Sequence, residues 1–115
     1  MIALKDRQLV YEFLILDVAI RSLQHDIEHI QKLKFSSLYE QHLGAILNHL
    51  RRDITWRKKQ LAGSKIRLIK WVKVNGNFSD AILATAGEDV SIRFSTHALK
   101  QNSQILIEKR MVPIE

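Results

Sequence analysis

Residues 9–30 read LVYEFLILDVAIRSLQHDIEHI, and this stretch decides the fold. Within it Leu9, Phe13, Leu16, Ile20, Leu23, Ile27 and Ile30 recur in alternating steps of four and three. That spacing is one continuous helix face, and no glycine or proline interrupts it. The pattern predicts a helix over about 5–33, with Asp6 near its start, where a carboxylate suits the helix dipole. From Leu9 to Ile20 the helix is apolar nearly all round, because Val10, Tyr11, Leu14, Ile15, Val18 and Ala19 join the seam. That half needs cover on several sides, whereas from Arg21 onward one stripe needs one partner.

The partner follows directly. Phe35-Ser36-Ser37 reads as a tight turn, with Ser36 or Ser37 as a helix cap and Glu40 placed three residues after Ser37, as a capping box requires. A second helix then runs to about Leu61 on Tyr39, Leu43, Ile46, Leu47, Leu50, Ile54 and Leu61, and Gly63-Ser64 ends it. Two seamed helices joined by a short turn form an antiparallel hairpin.

After Gly63 the period falls to two. Ile66, Leu68, Val72 and Val74 share one expected strand face, and Lys65, Arg67, Ile69, Trp71 and Lys73 the other. Asn75-Gly76-Asn77 marks a turn, and strands are expected at Ala81–Thr85 and Val90–Ser95 around Gly87-Glu88-Asp89. Ser95 or Thr96 is placed to cap a last helix from His97 to about Arg110, although Ile105-Leu106-Ile107 also suits a strand. Pro113 marks a loose end. The expected fold is therefore α+β: a long antiparallel helical hairpin (1–62) followed by a small antiparallel three-stranded sheet and a short C-terminal helix (63–112), all in one domain spanning 1–115.

A helix of about 29 residues is ~43 Å long. A compact domain of this size is only ~34 Å across. The hairpin must protrude, or pack along another copy of itself. A homodimer with helices side by side is expected, through Val10, Phe13, Leu14 and Val18; the alternative cover for these residues is the sheet and the last helix.

The chain holds 115 residues, 46% of them hydrophobic and 26% charged, which is ordinary globular composition. It has no cysteine, so disulfides, thiol nucleophiles and Cys-based zinc sites are excluded. The start of the chain lacks a signal peptide's apolar core, and Val10–Ile20 is too short to span a bilayer. A cytoplasmic protein without membrane association is expected.

Chemistry-bearing patterns are sparse. There is no GxSxG, P-loop or GxGxxG, and Glu12 and Asp17, the only carboxylates inside the apolar stretch, point in different directions on a helix. His25, His29, His42 and His49 lie in the hairpin, but without the spacing of a metal site. No enzyme, cofactor, metal or small-molecule substrate is expected.

The net charge of +6 is concentrated in one segment. Residues 51–73 carry nine basic side chains against Asp53 alone, while the flanking parts are each close to neutral. Arg51, Arg52, Arg57, Lys58 and Lys59 crowd the end of the second helix, with Trp56 among them. Lys65, Arg67 and Lys73 share the expected strand face with Trp71, and Arg93 extends it. The expected function is that of a non-enzymatic interaction protein, presenting its hairpin and this basic face to a macromolecular partner. That partner is either an acidic protein or a nucleic acid, whose phosphates the cations neutralise and whose bases stack on tryptophan.

Overall fold

In the computed structural model, which describes residues 2–30 and 36–110, the expected order of elements is present: α1 (Leu4–Ile30), α2 (Ser36–Gly63), β1 (Arg67–Lys73), β2 (Phe78–Ala84), β3 (Asp89–Ser95) and α3 (Thr96–Arg110). Residues 31–35, the centre of the expected turn, and Pro113 lie outside the described residues. The hairpin is antiparallel. Ser64, just beyond α2, donates its hydroxyl to Asp6 in the first turn of α1 at 3.2 Å, which brings the two open ends together.

α1 is the centre of the molecule, which explains its apolar circumference. On one side Leu16, Ala19 and Leu23 pack with Ile46, Leu47 and Leu50 of α2, and Leu106 and Ile107 of α3 close over the same cluster. On another side Val10, Phe13 and Leu14 meet Leu61, Ile66, Ala81 and Leu83, with Leu68, Trp71, Val90, Ile92 and Phe94 around them. The structure therefore covers Val10, Phe13 and Leu14 within a single chain. Their apolar character is spent on their own sheet, and this corrects their expected role as a self-association surface; Val18 is half-buried beside them.

Local chemistry sets the boundaries. α2 stops because the Ile66 amide bonds the Leu61 carbonyl (2.9 Å) and the Lys65 amide bonds that of Ala62 (3.0 Å), a paired closure that turns Lys65 to a φ of 60°. Asn75 makes the first hairpin turn by accepting the amides of Asn77 and Phe78 on its side-chain oxygen, at 2.8 and 3.0 Å. The Ser95 hydroxyl accepts the Ala98 amide at 3.3 Å, and residues 105–107 continue as helix.

The strands run in sequence order and all pairs are antiparallel. Leu68 lies opposite Leu83 but Lys70 lies opposite Ile82, so Ile69 is an extra residue, a bulge. The bulge reverses the alternation of β1. Leu68 and Trp71, three apart, both face the helices. Arg67, Lys70 and Val72 face away with Ala84, Ile82 and Asp80. The expected grouping of Trp71 with Lys65, Arg67 and Lys73 is thereby corrected: Trp71 is on the helix side, and Lys73, paired with Ser79, is not on the face of Arg67.

Candidate partner-binding surface

The second half of α2 is positioned by Leu47, Leu50, Ile54 and Leu61, which hold it against α1 and the sheet. The opposite side of the helix is set by the same periodicity. Asn48, Arg51, Arg52, Thr55, Trp56 and Lys59 follow one another at steps of three and four or their neighbours, and all six are exposed. They form one stripe about 17 Å long. Arg51, Arg52, Lys58 and Lys59 make no ion pair among the described residues, so their charge is directed at solvent. Trp56 is 56% exposed, a large apolar surface within a cationic setting. The guanidinium of Arg57 lies 5.7 Å from its ring centroid.

Arg57 itself is not part of this stripe. It reaches across to α1 and pairs with Glu12 at 3.1 Å, with only 23% of its side chain exposed. Arg93 is likewise engaged, in a two-pronged contact with Asp80 at 2.9 and 3.2 Å. That contact holds the Asp80 carboxyl below the usual aspartate range and raises the Arg93 guanidinium, the hydrogen bond being the largest cause of each shift. Lys65, Arg67, Lys70 and Lys73 are exposed and unpaired among the described residues. Trp71 donates its indole N–H to Asp17 at 2.8 Å and packs against Phe94, ring centroids 6.0 Å apart. Asp17 also pairs with Arg21 at 3.1 Å. The cations expected on one sheet face are thus divided, Arg67 and Arg93 lying on the outer face and Lys73 on the other, and Trp71 faces the helices, where it is not placed to stack a base.

Two features were not visible in the sequence. One is a clip between α3 and α2, in which Arg110 contacts Asp53 and donates to His49 Nδ1 at 3.2 Å. The other is a cleft of about 220 Å³ between α1 and α3, with Ile15 and Leu16 at its base and Tyr11, Asn102, Glu12 and Arg57 on its walls. The Asn102 amide donates to the Tyr11 hydroxyl at 2.8 Å, and the Glu12–Arg57 pair neutralises itself. The cleft therefore offers no free acid–base pair. His25 and His29 stand side by side, ring centroids 5.1 Å apart, yet among the described residues no three metal-ligating side chains come together. Among those residues no helix is long and apolar enough to cross a membrane.

Fold and surface together define a small α+β domain whose helical layer carries an unpaired cationic face. The chain belongs to the YhjD protein family, whose model matches residues 1–113. Comparison with curated proteins and with solved structures found no match.

Proposed function

We propose that this is a non-enzymatic interaction protein of the cytoplasm. It works as a homodimer and holds an acidic protein partner against the outer face of α2. The observation that carries the reading is the stripe of Arg51, Arg52, Thr55, Trp56 and Lys59, exposed and without internal carboxylate partners. A rigid helix face presenting several cations around one aromatic anchor favours a complementary acidic surface and disfavours basic ones. The test is a variant with Arg51, Arg52 and Lys59 all changed to Glu. It retains the wild-type circular dichroism spectrum and loses the stoichiometric complex recovered with the wild-type protein from its native cells. A variant that keeps that complex contradicts the reading.

The exposed ring of Trp56 favours a second reading, in which the anion is a nucleic acid and the ring stacks on an unpaired base. Titration with single-stranded DNA, RNA and duplex DNA separates the two. Nucleic-acid binding quenches Trp56 and weakens log-linearly as salt rises. A flat titration at low salt removes this second reading.

A further inference from the structure

We infer that two copies of this chain pair through the uncovered face of the sheet, about a two-fold axis parallel to the strands. This rests on the dimeric reading above and gives that dimer a surface.

The helical residues that pack on the sheet all meet one of its faces. An antiparallel sheet whose other face meets water presents polar residues there. Here the face presents Val72, Val74 and Phe78, between 37% and 41% exposed, together with a half-buried Ile82, beside the polar β3 row of Asp89, Ser91, Arg93 and Ser95. Val72, Val74 and Phe78 lie together at one end of the face, an exposed apolar group of the kind that marks an interaction site. The charges in the middle of the face, Asp80 and Arg93, already satisfy each other, and the Asp80 side chain is only 15% exposed. A second sheet laid over them covers a pair that is already neutral, and Lys70, on the edge strand of the same face, has a stem long enough to carry its ammonium to the rim.

The margins select the partner. One row across the sheet runs Arg67–Ala84–Asp89, basic at the β1 edge and acidic at the β3 edge. Neither Arg67 nor Asp89 makes an ion pair among the described residues. A two-fold axis along the strands turns the β1 edge of one copy over the β3 edge of the other at the same height. Arg67 then meets Asp89 of the partner subunit twice, once on each side of the axis. A two-fold axis across the strands instead stacks the basic β1 edge on its own copy, and edge-to-edge joining of β1 is blunted by Arg67, Lys70 and Lys73. Face-to-face sheets settle near 30° to one another, which keeps these rows within reach. The face measures roughly 14 by 23 Å. That is small beside the ~800 Å² per partner of a standard interface, so the dimer is expected to dissociate on dilution.

Sedimentation equilibrium over a wide concentration range tests this on the full chain. The wild type is expected to pass from monomer to dimer as concentration rises. Phe78→Glu, which sets two carboxylates against each other across the axis, remains monomeric with an unchanged helical spectrum, Arg67→Asp weakens the dimer severalfold, and Arg67→Asp combined with Asp89→Arg restores it. A wild type that is monomeric throughout overturns both this interface and the dimeric part of the proposed function. A dimer that survives Phe78→Glu and Arg67→Asp overturns the sheet interface alone.

Discussion

Lys65 is the residue whose backbone is least at ease, since its φ of 60° lies in the left-handed region that side chains with a Cβ disfavour. Lys65→Gly keeps both hydrogen bonds that close α2 and is expected to stabilise the fold by about 0.5–1 kcal/mol in urea denaturation, an unchanged midpoint being the contrary result. Trp71 makes the opposite case. Trp71→Phe retains most of the ring but leaves Asp17 without its indole donor, and a loss of about 1–3 kcal/mol is expected. Asp80 governs part of the acid response. Its carboxyl is held below the usual aspartate range, so it favours the folded state above that range. This contribution falls away as pH drops through the ordinary value and then the lowered native one. Asp80→Asn is expected to flatten that part of the acid unfolding curve, and an unchanged curve counts against the Arg93 contact as its cause. At this scale the sequence was only partly legible. The hydrophobic seam residues were readable because one helix face is enough to predict burial. The partner of each charge was not, because Glu12–Arg57 and Asp53–Arg110 join residues far apart in the chain.

Among the elements, α1 shows why periodicity reads burial better than it reads the covering surface. Its apolar circumference required cover on several sides, and α2, the sheet and α3 supply it. Phe13→Ala, emptying a position covered by the sheet, is expected to cost about 3–5 kcal/mol, measurable in the same denaturation experiment. β1 shows the converse. Strict alternation placed Trp71 outside with Arg67, and one bulged residue, Ile69, placed it inside. A bulge has no reliable signature in a single strand, because it is defined by the register of the neighbour. α3 resolves the apolar run 105–107 as helix, with Leu106 and Ile107 packed on the hairpin and Ile105 at the rim of the cleft. On α2, the Arg57, Lys58 and Lys59 cluster is not uniform. Replacing Arg57 removes the cation that pairs with Glu12 and leaves that carboxylate the Gln8 amide as donor, whereas Arg51, Arg52 and Lys59 hold nothing in place. Substituting those three by Ala is expected to leave the melting temperature within the small range of ordinary surface changes.

The molecule as a whole is elongated, 50 by 32 by 21 Å, with a radius of gyration of 15.6 Å against ~13 Å for a compact domain of this length. The length of the hairpin made that extension foreseeable. It did not reveal that all the helices would gather on one side and leave the sheet open on the other. The molecule therefore has two contrasting surfaces, a cationic helix face and a mixed sheet face with exposed Val72, Val74 and Phe78, the first proposed for a partner and the second for another copy. The proposed seat of the partner is the α2 face. The most direct measurement is a photo-reactive amino acid at Thr55, exposed in the middle of that stripe, activated in the protein's native cells. One discrete protein adduct is expected, abolished when Arg51, Arg52 and Lys59 are changed to Glu. Adducts with nucleic acid would move the second reading to first place, and the absence of any adduct at Thr55 would contradict the claim that α2 is a binding surface.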